Sequence, residues 1–359
     1  MKINRSIVLS NFSSIALISF TFLCTTVFTA QPTDSSIEVN IVCDQANAVL
    51  AILAKRQSNQ DIIEQDWQQL FSSEGYTRLK KRETSFRNTF TDEDFRVFVL
   101  SDTLVGKFQI LKTTLEKWKG IDVNKIVNRA LAYLQKGAQI RAKIYPVIKP
   151  KTNSFVFETT KDPAIFIYLD PATTQQKFEN TLSHELHHIG YENSCAALAI
   201  KISEDSTISK STRTVLELVG IFGEGFAMLA AAGGPDIHPH NTSNHADRAR
   251  WDGDMKNFND DFKKIEQFFL DILDNKLKSN EIERIAYSFF GIQGPWYTVG
   301  WKMSATIEKK YGRAKLIECL CDPRMLLLTY NQAALEYNNS EPDSLVLWSS
   351  SLIERIATK

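Results

Sequence analysis

Two histidines and a glutamate form the pattern in this chain that most directly indicates chemistry. His184, Glu185 and His188 lie within the segment 181–190, where they fit the pattern His-Glu-x-x-His. On a helix, residues four apart lie one turn apart, so the two imidazoles can ligate one metal ion. Glu185 leans towards the same side, where it can take a proton from a water. The spacing therefore predicts a hydrolytic Zn²⁺ site with Glu185 as general base.

Two other interpretations of this segment stay open. His187 lies three residues after His184 and is a competing ligand, although a helical wheel turns it away from the arc that carries His184 and His188. The histidines could also belong to a polar helix edge without a metal, since a motif match alone is a hypothesis.

A catalytic zinc site needs a third protein ligand and one open position. The segment 215–232 is apolar nearly all round, which is typical of a buried helix, and Glu217 and Glu224 are its only charged residues. A buried carboxylate is costly unless it is paired or bound to a metal. We expect Glu224 to be the third ligand and Glu217, on the same predicted face, to support the ligands. A pair of buried, salt-bridged glutamates is the alternative.

The same segment contains Gly220, Gly223 and Gly225. Each glycine costs about 1 kcal/mol relative to alanine inside a helix. Glycines around Glu224 are therefore expected where another helix approaches its backbone closely.

The two segments together resemble the pattern of the gluzincin metallopeptidases. His184-Glu-Leu-His-His188 is followed downstream by Gly223-Glu-Gly-Phe-Ala227. In that clan the third zinc ligand is a glutamate on a downstream helix, a role that the resemblance gives to Glu224. The chain is also similar to a family of predicted secreted bacterial zinc proteases of unknown function, which carry a late segment like 294–303. The resemblance implies a zincin-like fold and hydrolysis of a peptide or protein substrate.

Tyr297, in that late segment, resembles the tyrosine that stabilises the developing negative charge in related enzymes. It follows Pro295, which is favoured in the first turn of a helix. A position in the apolar core is the alternative.

Three further histidines follow the Glu224 segment, namely His238, His240 and His245. We expect their loop to border the cleft, so that one of them contacts the substrate or donates to the oxyanion. A surface loop without a function is the alternative.

The wider pattern predicts an α+β fold that is predominantly helical, with residues 31–138 as a helical region. Residues 139–359 form the predicted metallopeptidase region, either as one unit with the first or as a separate lobe. Segments 140–148, 154–159 and 164–169 predict a small antiparallel sheet next to the active-site helix. We expect 164–169 to be the edge strand that pairs with an extended substrate.

The first thirty residues are predicted to be a secretory signal. Lys2 and Arg5 precede an uncharged apolar run, 15–28, that is short for a membrane span. We therefore expect a secreted or periplasmic protein with no stable membrane span after cleavage; an uncleaved anchor is the alternative. The four remaining cysteines permit two disulfides with the pairing open, except that Cys319 and Cys321 are too close to bridge without strain.

Composition excludes several classes of function. Lys plus Arg number 42 and Asp plus Glu number 42 in 359 residues, so no basic field indicates a nucleic-acid partner. The 43% hydrophobic content is that of an ordinary globular protein. A zinc aminopeptidase is a second interpretation, although no acidic anchor for a substrate amine is evident before the metal helix. A non-catalytic zinc-containing surface binding protein is a third, and Glu185 argues against it. The oligomeric state stays open.

Overall fold

The computed structural model describes residues 37–85, 89–159, 161–340 and 344–357. The predicted signal lies outside the described residues. The described strands are β1 (Ile37–Ile41), β2 (Ile140–Val147), β3 (Phe155–Phe157) and β4 (Ala164–Tyr168). The described helices are α1 (Asp44–Gln57), α2 (Glu64–Ser72), α3 (Glu74–Ser85), α4 (Asp92–Val99), α5 (Asp102–Val105), α6 (Phe108–Lys119), α7 (Val123–Leu131), α8 (Gln175–Glu204), α9 (Lys210–Val219), α10 (Gly223–Ala232), α11 (His245–Lys256), α12 (Phe258–Leu273), α13 (Ser279–Ser288), α14 (Pro295–Tyr311), α15 (Arg313–Cys319), α16 (Pro323–Asn338) and α17 (Ser350–Ala357).

The predicted fold class is confirmed, because the chain is α+β and predominantly helical. The expectation of an antiparallel sheet was wrong. The strand order is β1-β2-β4-β3, in which β1–β2 and β2–β4 are parallel and only β3–β4 is antiparallel. Although β3 follows β2 in the chain, the two strands do not pair. β3 pairs instead with β4, the next strand along the chain.

The expectation that 164–169 forms an edge strand was also wrong. β4 lies between β2 and β3, and four of its five residues are buried. A continuous apolar run such as Ala-Ile-Phe-Ile-Tyr is typical of a strand covered on both faces. The edges of the sheet are β1 and β3.

β1 was not predicted, since residues 31–138 were expected to be mostly helical. Its five residues alternate between half-buried and exposed, and Ile41 pairs with Ile144 of β2. This pairing joins the first region to the second across the expected boundary at residue 138. One hydrophobic cluster likewise includes Ala46 of α1, Leu186 of α8 and Ile356 of α17.

Helix α8 carries the His-Glu-x-x-His segment. Thr174 caps its start, where the hydroxyl accepts the backbone N–H of Lys177 at 3.2 Å. The predicted apolar stripe is fully buried: Phe178, Leu182, Leu186 and Ile189. Burial of this stripe anchors α8 and leaves its other face to carry polar side chains.

A disulfide joins Cys195 of α8 to Cys321, just after α15. Cys43 and Cys319 are free thiols. One of the two possible bridges is therefore formed, between cysteines 126 positions apart.

The segment that carries Glu224 is not one regular helix. α9 and α10 are separated by a 3-10 turn, Gly220–Phe222. The whole stretch Lys210–Ala232 is long and apolar enough to cross a membrane, with a mean hydropathy of 1.7. However, 78% of its most apolar window is buried inside the fold, as in a core helix.

Candidate metal centre

Three side chains from two helices converge at one point. His188 Nε2 lies 3.0 Å from His184 Nε2 and 3.2 Å from Glu224 Oε2. His184 Nε2 lies 3.4 Å from the same Glu224 oxygen. The structure thus brings together the three predicted ligands, although 36 residues separate His188 from Glu224.

This donor set fits a zinc ion. Two imidazole nitrogens and one carboxylate oxygen are ligands that zinc prefers, and three protein ligands leave one position for a water or substrate. His184 is 4% exposed and Glu224 is 9% exposed, so the site is largely shielded from solvent. The two imidazole nitrogens face each other and the same carboxylate oxygen. A cation bound by all three atoms explains this arrangement.

The charges of the cluster suit ligation. Burial alone would raise the pKa of Glu224, but the adjacent His188 and His184 rings outweigh burial and hold this pKa well below its usual range. Burial lowers the pKa of His188, but Glu224, Glu185 and Glu192 together outweigh burial and raise it above its usual value. Glu224 is therefore an ionised carboxylate, the form in which it can bind a metal.

Glu185 lies beside the cluster and is 1% exposed. Within the described chain, neither of its carboxylate oxygens has a hydrogen-bond partner. Burial raises its pKa, which the neighbouring His184 and His188 lower only in part. A buried carboxyl group whose pKa is raised and whose oxygens have no hydrogen-bond partner is suited to accept and release a proton.

Tyr297 lies on the first turn of α14, after Pro295. Its ring is 6.5 Å from the His184 ring, at an interplanar angle of 15°, and the side chain is 4% exposed. The structure therefore brings the predicted oxyanion residue against a predicted metal ligand.

Close contact between α10 and α14 positions these groups. A Cβ atom on Gly225 would overlap the backbone of Gly300 and Trp301, and one on Gly300 would overlap the backbone of Phe222. The expected close approach is confirmed at Gly225. At Gly220 and Gly223 a Cβ atom would make only ordinary contact with Tyr191, so these two positions do not require glycine for that reason.

The structure does not bring Glu217 to the cluster. It is exposed on α9, so the expectation that it supports the ligands, and the alternative of two buried glutamates, were both wrong. A 3-10 turn has 3.0 residues per turn rather than 3.6. Seven residues that cross Gly220–Phe222 are therefore not two turns of one helix.

His187 points into the core rather than to the metal ligands. It is fully buried, and its ring is 4.9 Å from Phe226. Burial lowers the pKa of His187 well below its usual value, so the ring is neutral. The helical wheel had already turned this residue away from the other two histidines.

The three loop histidines lie in different surroundings. His240 is 5% exposed and lines a cavity that reaches His184. His238 contacts Asp252, with 2.9 Å between Nε2 and Oδ1, and its Nδ1 accepts the backbone N–H of His240. His245 is exposed at the start of α11. The loop thus borders the cavity as expected, through His240.

The open cavity beside His184 has a volume of about 590 Å³, part of which is open to solvent. Its wall includes three polar residues that the sequence interpretation missed: Lys177, Arg250 and Gln293. Only Lys177 carried a local signal, because it lies two helical turns before His184 on the same face.

Comparison with known proteins agrees with this geometry. A family model described as "Putative zinc dependent peptidase (DUF5700)" matches residues 50–339, a span that contains all three converging side chains. No curated protein matches the chain significantly, and no solved structure does.

Proposed function

Because the chain belongs to this zinc-dependent peptidase family, we propose that it hydrolyses peptide bonds at a gluzincin-type site formed by His184, His188 and Glu224. The observation that carries the proposal is the convergence of two Nε2 atoms and one carboxylate oxygen within 3.4 Å of one another. The substrate is a peptide or protein.

A zinc ion bound by these residues supplies a Lewis acid that lowers the pKa of water and polarises the scissile carbonyl. Glu185 accepts the proton of the attacking water on its carboxylate and donates it to the leaving amine. Tyr297 donates a hydrogen bond from its hydroxyl to the carbonyl oxygen as negative charge develops there.

The test compares the wild type with Glu185→Gln, which keeps the size of the side chain and removes its basicity. Zinc content is measured by mass spectrometry, and turnover is measured on a peptide library. We expect unchanged zinc and a loss of turnover of about 10²–10⁴-fold, the usual contribution of a general base. The matched control Glu217→Gln changes an exposed glutamate and should leave both measurements unchanged. Equal turnover in wild type and Glu185→Gln would remove Glu185 from this role.

We further propose that the protein is exported, as its first thirty residues predict. The Cys195–Cys321 disulfide supports export, because disulfides persist mainly in oxidising compartments. Cell fractionation with N-terminal sequencing of the mature chain tests this proposal. An intact N-terminus in the cytoplasmic fraction would contradict it.

A further inference from the structure

The cavity that adjoins His184 has a positively charged wall. We propose that it binds a carboxylate group of the substrate near the scissile bond, through Arg250 and Lys177. This inference rests on the proposed peptidase function and specifies the substrate class.

The position of Lys177 places a cation within reach of a bound peptide. It lies seven residues before His184 on α8, which is about 10 Å along the helix axis. An extended peptide advances about 3.3 Å per residue, so a residue some three positions from the scissile bond would lie beside it. Lys177 and His184 both line this cavity.

Arg250 and Lys177 are held together by one acid. The Asp247 carboxylate accepts a hydrogen bond from Lys177 Nζ at one oxygen and from Arg250 at the other, each at 3.1 Å. Burial raises the pKa of Asp247, but the hydrogen bonds and positive charges of Lys177 and Arg250 together outweigh burial and lower it. The trio therefore contains two cations and one anion, which leaves one positive charge in excess.

Both cations keep donors for a ligand. Lysine has three N–H donors and arginine has five, and Asp247 takes only one from each. The side chain of Arg250 is 32% exposed and that of Lys177 is 22% exposed, so neither is sealed inside the protein. Arginine in particular can bind a carboxylate through two parallel N–H groups.

The rest of the wall does not neutralise this charge. Burial lowers the pKa of His240 to about 4, so this ring is neutral at physiological pH. The side chain of Gln293 accepts a hydrogen bond from Arg250 at 3.5 Å, and the Gln293 backbone has a φ of 62°, which fixes the turn before α14. An excess positive charge repels a free amino group. The cavity therefore disfavours the amine anchor that an aminopeptidase needs.

A substrate carboxylate has two sources, the free C-terminus of a peptide or an Asp or Glu side chain. The probes are N-acetylated octapeptides that carry either Glu or its neutral isostere Gln at each position in turn. Each peptide is made with a free and with an amidated C-terminus. Binding is measured by calorimetry on zinc-loaded Glu185→Gln, and cleavage by wild type is followed by mass spectrometry.

We expect the peptides with a correctly placed carboxylate to bind about 10–100-fold more tightly than their neutral isosteres, as for hydrogen bonds between charged groups. A difference between Glu and Gln identifies an acidic side chain as the ligand. A difference between free and amidated ends identifies the C-terminus. Equal binding of all peptides would overturn the proposal.

Arg250→Gln should abolish this preference. The matched control is Arg248→Gln, on the same helix but exposed, which should keep it. Thermal unfolding checks that each variant folds, and Lys177→Gln replaces Arg250→Gln if the latter does not. A preference that survives both Arg250→Gln and Lys177→Gln would overturn the assignment.

The outcomes separate this inference from the proposed function. Wild-type cleavage of neutral and acidic peptides at equal rates would refute the carboxylate site and leave the peptidase intact. Preferential binding of carboxylates without cleavage of any peptide would refute the peptidase and leave the binding site.

Discussion

Gly225 of α10 lies directly against the backbone of Gly300 in α14, so close that a Cβ atom on Gly225 would overlap it. The contact lies one residue from the predicted ligand Glu224 and three from Tyr297. The two helices can approach this closely only because residue 225 is glycine, and Gly300 in turn makes room for the backbone of Phe222 in the 3-10 turn before α10. This packing sets the distance between the metal cluster and the predicted oxyanion residue.

Gly225→Ala should therefore damage both stability and metal binding. The new methyl group would meet backbone atoms, which cannot move aside as a side chain can, so we expect a loss of about 1–3 kcal/mol in the free energy of unfolding. Gly253→Ala is the matched control, because a Cβ atom on this α11 residue meets nothing within 4 Å. It should stabilise the protein by about 0.5–1 kcal/mol. Denaturant unfolding and zinc titration measure both effects; wild-type values for Gly225→Ala would contradict the packing account.

Loss of a residue that supports the metal ligands typically weakens metal binding about 10–100-fold. Glu224→Ala should weaken zinc binding by more than this. The reason is that it removes one of three ligand atoms. Glu217→Ala, which changes the exposed glutamate of α9, should leave zinc affinity unchanged. Competition with a fluorescent chelator measures both, and equal losses in the two variants would contradict the assignment of Glu224.

The Cys195–Cys321 disulfide should contribute substantially to stability. It closes a long loop and so reduces the conformational entropy of the unfolded chain. Replacement of both cysteines with serine is expected to lower the free energy of unfolding by about 2–5 kcal/mol. Cys43→Ser, at a free and half-buried thiol, is the comparison and should cost less. Unfolding of the oxidised proteins in guanidinium measures both effects. Similar losses of unfolding free energy in the double variant and in Cys43→Ser would argue against the bridge.

Lys149, two residues after the end of β2, makes the free energy of unfolding depend on pH. The residue is 3% exposed, and its ammonium group donates to Asn153 Oδ1 at 2.8 Å. Burial lowers its pKa to about 7, with help from Arg82 and Lys151 and against the opposing effect of Glu83. The unfolded chain therefore binds the proton more tightly between about pH 7 and the ordinary value of 10.5. The contribution of Lys149 to the free energy of unfolding should therefore become more favourable as the pH rises through this window.

Lys149→Met removes this titration. The difference in unfolding free energy between wild type and variant should rise with pH from 7 to about 10, no more steeply than about 1.4 kcal/mol per pH unit, and be flat below pH 6. The same substitution at Lys112, exposed on α6, is the matched control for the loss of a lysine side chain. Urea unfolding at several pH values provides the measurement; a flat difference for Lys149 would show that its amine stays charged.

The sequence was informative where the relevant geometry is local. The spacing of His184 and His188 needs only the pitch of one helix, which every regular α-helix shares. Glu224 was identified because it is a charge in an apolar segment, and such a charge needs a partner wherever the helix packs. The apolar stripe of α8 was predicted for the same reason.

Other features depend on contacts between distant parts of the chain. The interior position of β4 depends on β3 pairing with its outer edge. Nothing in 164–169 alone distinguishes an edge strand from an interior one. Glu217 was misplaced because the 3-10 turn between α9 and α10 interrupts the helix. The disulfide joins Cys195 to one of several locally equivalent partners. Arg250 and Gln293 reach the cavity from elements far from α8, so no spacing could connect them to His184.

The most direct test of the account is the position of the metal itself. Crystals of the zinc-loaded protein, measured on both sides of the zinc absorption edge, would give an anomalous difference map. The account predicts one strong peak about 2.0–2.2 Å from His184 Nε2, His188 Nε2 and a Glu224 carboxylate oxygen. A peak bound by other residues, or no zinc between these three side chains, would contradict it.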